Sequence, residues 1–211
     1  MRFWRQAWVI ARRDLVSEGR SGEVLWVVIP FALLALFLIP VAIGGRRGIL
    51  GDIGPGMFWV VVLLFGLFVT LRRSSQVSPA EADVLALVLV DPAAGFVGRS
   101  LASFVLVVGV QAVAAPATLA LFGPELPGTW PWLLPIGLLA AAGMAMVGTI
   151  AGSLARGTRL GSAVAPLLAI SLSFPLLSGA SIATSELAGD TDILAPMALL
   201  ALVDVLRSEE R

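Results

Sequence analysis

The chain contains no cysteine, no histidine, no tyrosine and no lysine. Without cysteine there are no disulfides and no thiolate chemistry. Without histidine the commonest general base and the commonest metal ligand are missing. Without lysine the usual phosphate-cradling residue is gone, and no G-x-x-x-x-G-K-[ST] loop is present. Charge is scarce as well: Asp, Glu and Arg make up 13% of 211 residues, against 58% hydrophobic residues. That is too little polarity to cover the surface of a soluble domain. The mean hydropathy of +0.98 points to the bilayer, and the length leaves room for about six short-looped spans but no further globular domain.

All 14 positive charges are arginines, and they fall in alternate gaps between apolar runs. Twelve belong to one set of segments: Arg2, Arg5, Arg12, Arg13, Arg20, Arg72, Arg73, Arg99, Arg156, Arg159, Arg207 and Arg211. Only Arg46 and Arg47 belong to the other, beside Asp52. This is the positive-inside pattern of a multispanning membrane protein, and it places the N-terminus on the cytoplasmic side. The net charge of +0 conceals that asymmetry.

Residues 1–20 predict a helix lying on the membrane surface. Trp4, Trp8, Ala11 and Leu15 share one face at 100° per residue, with Arg2, Arg5, Arg12 and Arg13 opposite. The first apolar run starts after about 23 residues with no small-residue cleavage site behind it, so it is read as a retained span. Spans are expected over 24–43, 56–71, 100–122, 133–154, 160–180 and 193–206. The last has 14 residues, about 21 Å of helix, and either crosses with local thinning of the bilayer or does not span. The stretch GGRRGILGDIGPG reads as an outer turn, 72–99 as an inner loop carrying a half-buried apolar helix over 84–90. Trp26, Trp59, Trp130 and Trp132 fall near span ends, where an aromatic belt would hold them. The fold class is thus an all-α membrane protein, one domain over 1–211, with an interfacial helix followed by about six transmembrane helices.

No Asp, Glu or Arg lies in the middle of the first five spans, and Gln111 is the strongest polar group there. An ionisable group at membrane depth costs about 2.5–3.5 kcal/mol on insertion scales and usually marks an ion pathway. Its absence argues against ion-coupled transport. An intramembrane enzyme has no support either: nothing activates a serine, and no buried carboxylate pair exists. A chain of this kind that moves something draws its energy from another subunit, and a separate ATPase is the natural supplier. The inner loop 72–99 is where such a partner would push: Arg72, Arg73, Glu81, Asp83, Asp91, Pro92 and Arg99 are its polar and turn residues. The other reading of that loop is a solvated connector. Gly148 and Gly152 form a small-residue step in the fourth span, read as internal packing ahead of a homodimer seam. Pro166 and Pro175 free carbonyls in the fifth, to be satisfied by neighbouring helices or by Ser162, Ser171 and Ser173.

Taken in order, these segments resemble the haem exporter protein B (CcmB) family, the permease subunit of an ABC-type transporter in cytochrome c maturation. RRDLVSEGRSGEVL is similar to the family's charged entry helix, through Arg13, Asp14, Leu15, Glu18, Arg20 and Glu23. GPGMFWV resembles its proline-glycine-tryptophan stretch, and VGTIAGSLARGTRLGSAVAPLLAISLSFPLL its fourth-to-fifth span region. The segment from Pro92 to Arg99 is shorter than the family's, and Gln76, Ser78 and Asp83 replace the acidic residue and glycine expected before the leucines. The resemblance implies an ABC exporter permease-like fold in the cell inner membrane. It also implies an ATP-binding partner subunit, a haem-handling membrane partner, and haem as the exported or delivered substrate. A scaffold that releases a haem-loaded partner, and an exporter of another apolar substrate, are the alternatives. No nucleic acid is expected. Haem ligation by this chain would fall to methionine alone, and Met57, Met144, Met146 and Met197 read as packing residues; haem is therefore expected on a partner.

One consequence is directly measurable. If 193–206 crosses the bilayer, a fluorescent reporter fused after Arg211 lights up on the cytoplasmic side and an alkaline phosphatase fused there is inactive. An active phosphatase would remove the sixth span.

Overall fold

A membrane interior offers no water to backbone groups, so a chain this apolar satisfies its N–H and C=O groups within helices. The computed structural model describes residues 2–22, 24–75, 91–124, 130–155 and 161–188. Among these, six α-helices and no strand occur. They are α1 (Arg2–Ser21), α2 (Ile29–Ala42), α3 (Arg47–Ser75), α4 (Pro92–Phe122), α5 (Leu133–Ala155) and α6 (Gly161–Ala188). A π-helical turn over Val24–Val28 leads into α2, and a short 3-10 turn over Trp130–Trp132 leads into α5.

Four helices are long and apolar enough to span: Gly48–Arg72, Pro92–Phe122, Leu133–Leu154 and Val164–Ser185. A fifth crossing arises if Phe3–Ser21 and Trp26–Ala42, bent by 49°, form one broken span. The bend has a local cause. Gly22 adopts φ 65° after α1, donating its N–H to Glu18 O at 2.7 Å, as a helix-ending glycine does. The Glu18 carboxylate then accepts the Val24 N–H at 2.9 Å, capping the turn that follows.

Several boundaries differ from the sequence reading. The span expected over 24–43 divides into the π turn and the 14-residue α2. The span expected over 56–71 begins at Arg47, because most of the glycine-rich outer turn is helical with Pro55 inside it. Only Gly44 and Gly45 turn the chain there, with φ 70° and 69°. The third helix begins at Pro92, eight residues before Ser100, since the Asp91 carboxylate caps it by accepting the Ala93 N–H at 2.9 Å and Pro92 presets φ. Gly123 ends it in the left-handed region at φ 56°. The fourth span agrees closely with α5, and the fifth runs on to Ala188. Residues 193–206 lie outside the described residues.

Inside the bundle α3 and α5 touch each other, and both touch α4 and α6, which flank them; α2 leans on α3 and α4. The order of close contacts fixes the directions. On α3, Gly54 meets Phe122 of α4, and farther along Gly66 meets Val107, so the two run antiparallel. Gly66 also meets Met144 of α5, and one turn later Thr70 meets Gly148, so α3 and α5 run parallel. A Cβ on Gly66 would stand 2.7 Å from Met144 Cε, and one on Gly54 2.9 Å from Phe122 Cβ. These glycines admit a neighbouring side chain where a turn was expected for Gly54. The core around them is apolar and finely divided: Val62, Ile136, Ala140, Met144, Ala169 and Leu176 are fully buried.

Trp59 corrects the aromatic-belt reading. It is only 5% exposed, and its Nε1–H donates to Thr184 Oγ1 of α6 at 3.0 Å. The helix extends twelve residues before it, so Trp59 lies inside the bundle and ties α3 to α6. Trp26 and Trp132 are exposed, as belt residues are.

Candidate functional site

Charge in this fold collects at the rim formed by α1, the end of α3 and the start of α4. α1 builds one wall. Ala7 and Ala11, one turn apart, are buried, with Ile10, Asp14 and Glu18 half-buried on the same side. Opposite them α4 presents Ala94, Gly98 and Ala102, all buried and again four residues apart. The fit is tight: a Cβ on Gly98 would stand 2.6 Å from the Ala7 carbonyl oxygen and 2.9 Å from Ile10 Cβ. Small residues at this spacing let two backbones approach closely.

This changes the reading of α1. Ala11 does not share the outward face with the tryptophans: it is fully buried, on the side of α1 that packs against α4. Trp4 is 72% exposed and Trp8 61%. Arg5, Arg12, Arg13 and Arg20 are exposed beside them, and the two acidic residues of the helix sit half-buried on the protein side. The helix thus has an acid-bearing inner face and a basic, tryptophan-bearing outer face.

The residues expected to couple to a partner divide into three groups. Arg72 is exposed at the end of α3, its guanidinium 5.9 Å from the centre of the Phe68 ring. Arg73 belongs to the last turns of α3. Asp91 and Pro92 form the start of α4, and the Asp91 side chain is already engaged as its cap. Arg99 lies two turns in, half-buried, with one guanidinium nitrogen running back toward Gly95; its Nε is buried and has no hydrogen-bond partner among the described residues. Glu81 and Asp83, with the apolar stretch 84–90, lie outside the described residues.

The packing residues sit elsewhere. Gly148 is pressed against Thr70 of α3, and Gly152 is buried in the following turn of α5. Pro166 is half-buried and Pro175 exposed, both within the continuous helix α6. Sequence reasoning missed the α1–α4 seam, although the four-residue spacing of Ala7 and Ala11 against Ala94, Gly98 and Ala102 carries its signal. Among the described residues no group of three or more Asp or Glu residues could hold a metal.

The chain as a whole can now be set beside known proteins. The family model described as CcmB protein matches residues 5–207. The chain belongs to the CcmB protein family. A curated relative, Heme exporter protein B of Rhodobacter capsulatus, is 29% identical over 192 residues, covering 90% of this chain and 87% of that protein. No solved structure matches. The CcmB match takes in all but the first three residues of α1 and every other helix described here, extends through 193–206, and fits a multi-pass membrane protein of the transport type.

The α1–α4 seam can be opened by one substitution. Gly98→Leu overpacks the contact with Ala7 and Ile10 and should cost about 1–3 kcal/mol. The chain has no cysteine, so a single Ala11→Cys reports the seam directly. That thiol is expected to resist maleimide in the parent chain and to react in the Gly98→Leu background, while Trp8→Cys reacts in both.

Proposed function

We propose that this chain is the membrane permease subunit of an ABC-type transporter serving cytochrome c biogenesis, and that it couples ATP hydrolysis on a separate subunit to the export or delivery of haem. The observation that carries the reading is the family match over 5–207 combined with a bilayer interior free of ionisable groups. Within the described spans charge occurs only toward the ends: Asp52 and Arg72 on α3, Arg99 on α4, none between Leu133 and Leu154 and none between Val164 and Ser185. Such a core has no means of following a proton or metal-ion gradient, whereas rigid helices in close contact transmit a push.

The push enters at the inner rim. An ATPase engages the segment between α3 and α4, with Glu81, Asp83 and Asp91 as its acidic contacts and Arg72, Arg73 and Arg99 as its basic ones. Displacement of the α4 start is passed to α1 through the Gly98–Ala7 contact and to α3 through the Gly66 and Gly54 contacts. The whole chain acts as one permease domain in the cell inner membrane with its N-terminus cytoplasmic. α1 lies at the interface, α2 with the turn before it makes the first crossing, and 193–206 supplies the sixth.

Haem itself rests on a haem-handling membrane partner, because this chain has no histidine, cysteine or tyrosine to ligate it. The same lack favours a second reading, in which the ATPase stroke releases a haem-loaded partner and nothing crosses the bundle. Both readings share the rim. Changing Glu81, Asp83 and Asp91 together to arginine is expected to abolish co-purification of the ATPase while the chain still inserts in the membrane. Undiminished co-purification of the triple variant would sink the assignment of the coupling segment.

A further inference from the structure

An acidic side chain in the last turn of a helix works against that helix, whose C-terminal carbonyls already gather negative charge. Glu18 holds such a position in α1, beside Arg20, which is the favoured kind of residue there. Its placement suits the segment that follows. The first N–H groups of a helical turn have no partner within it, and a carboxylate is a strong acceptor for one of them. Glu18 Oε1 accepts the Val24 N–H at 2.9 Å, at the first residue of the π turn. One side chain of α1 thus holds the start of the chain that enters α2.

The surroundings make this join stiff. Gly22 turns the chain at φ 65°, and the Trp26 indole occupies the space beside it: a Cβ on Gly22 would stand 2.7 Å from Trp26 Cδ1. The Trp26 N–H donates to Gly22 O at 2.7 Å, and the Gly22 N–H to Glu18 O at 2.7 Å. Beyond the join, Val24 and Val28 are buried in one cluster with Val69 of α3 and Val110 of α4. α1 is therefore fastened twice. Ala7 and Ile10 meet Gly98 near the start of α4. Glu18, about three turns or 16 Å farther along α1, fastens its other end to a turn whose cluster includes Val110, well inside α4. That turn is π-helical, a form found mostly as single turns and frequently at functional sites.

We infer that Glu18 is the positioning residue that carries displacement of α1 into the first crossing. The inference rests on the permease reading and deepens it. A push on the start of α4 reaches α1 through the Gly98 contact. With the Glu18 bridge in place, α1 and the π turn move as one piece, and Val24 and Val28 shift against Val69 and Val110. Without it, the short link through Gly22, the most permissive of residues, takes up the motion. What the place requires is an acceptor oxygen, since the group held is a neutral N–H. Glutamine keeps that oxygen, and leucine does not.

Glu18→Leu and Glu18→Gln, compared in the assembled complex in sealed vesicles, test the role. The leucine variant is expected to co-purify with the ATPase and to hydrolyse ATP as the parent does. Its ATP-driven haem release is expected to fall about tenfold, the scale of one lost charge-assisted hydrogen bond. The glutamine variant is expected to release haem close to the parent rate. Parental release from the leucine variant, loss of hydrolysis together with release, or a glutamine variant that fails equally would each overturn the role. Hydrogen exchange of the full chain in lipid nanodiscs reads the contact without either partner. In the leucine variant 19–28 should exchange faster, with α3 and α4 as protected as in the parent. Unchanged exchange over 19–28, or acceleration throughout the bundle, overturns the inference. A parent complex that hydrolyses ATP without releasing haem refutes the permease reading alone, and the exchange measurement still decides the Glu18 contact.

Discussion

Close backbone approach at small residues is the constraint on which this molecule depends. Lipid tails are as apolar as leucine, so burying leucine against leucine gains almost nothing inside a bilayer. Helices associate there through dispersion contacts, each worth only about 0.1–0.2 kcal/mol and effective only in number. The chain secures that number by placing glycine where a neighbour must come near: Gly66 under Met144, Gly148 against Thr70, Gly54 against Phe122, Gly98 beneath the Ala7 carbonyl. The first three fix how α3, α4 and α5 run against one another, and the fourth seats α1 on α4. The Trp59–Thr184 hydrogen bond brings α6 into the same frame.

The same constraint shapes function. A bundle packed on glycines and alanines has no space for solvated charge, and its charges sit at its rims. In the proposed mechanism what enters such a body is displacement, at the rim residues. Arg99 is the point at which packing and charge meet: one position beyond the glycine that seats α1, it carries a guanidinium whose Nε is already sealed from solvent. A force applied to the start of α4 cannot leave α1 behind. The basic, tryptophan-bearing outer face of α1 would then move against lipid headgroups, which ties the rim to the membrane surface as well as to the bundle.

Much of this was legible in the residues, and the failures share a cause. The helical class and the limits of α5 followed from hydropathy alone, because Leu133–Ala155 is apolar throughout and bounded by polar segments. The stretch before Met57 did not. Glycine and proline signal turns in water, but in a bilayer a glycine serves as a notch, and Gly54 beside Pro55 is helical for that reason. Trp59 looked like a belt residue because the extra turns of α3 were invisible, and its indole proved to be a donor inside the bundle. The outward face of α1 was readable from arginine and tryptophan. Its inward face was not, since alanine carries little hydropathy and a contact with Gly98 is a matter of size. The acidic pair Glu81 and Asp83 remains an inference from charge and position.

The central claim is that energy reaches this chain mechanically, from an ATPase at the inner rim, and not from an ion gradient across a polar core. The most direct measurement is ATP-driven haem release from the assembled complex in sealed vesicles, with and without a protonophore. The account predicts a rate that depends on ATP hydrolysis and is unchanged when the proton gradient is dissipated. A rate that collapses with the gradient while ATP hydrolysis continues would contradict it.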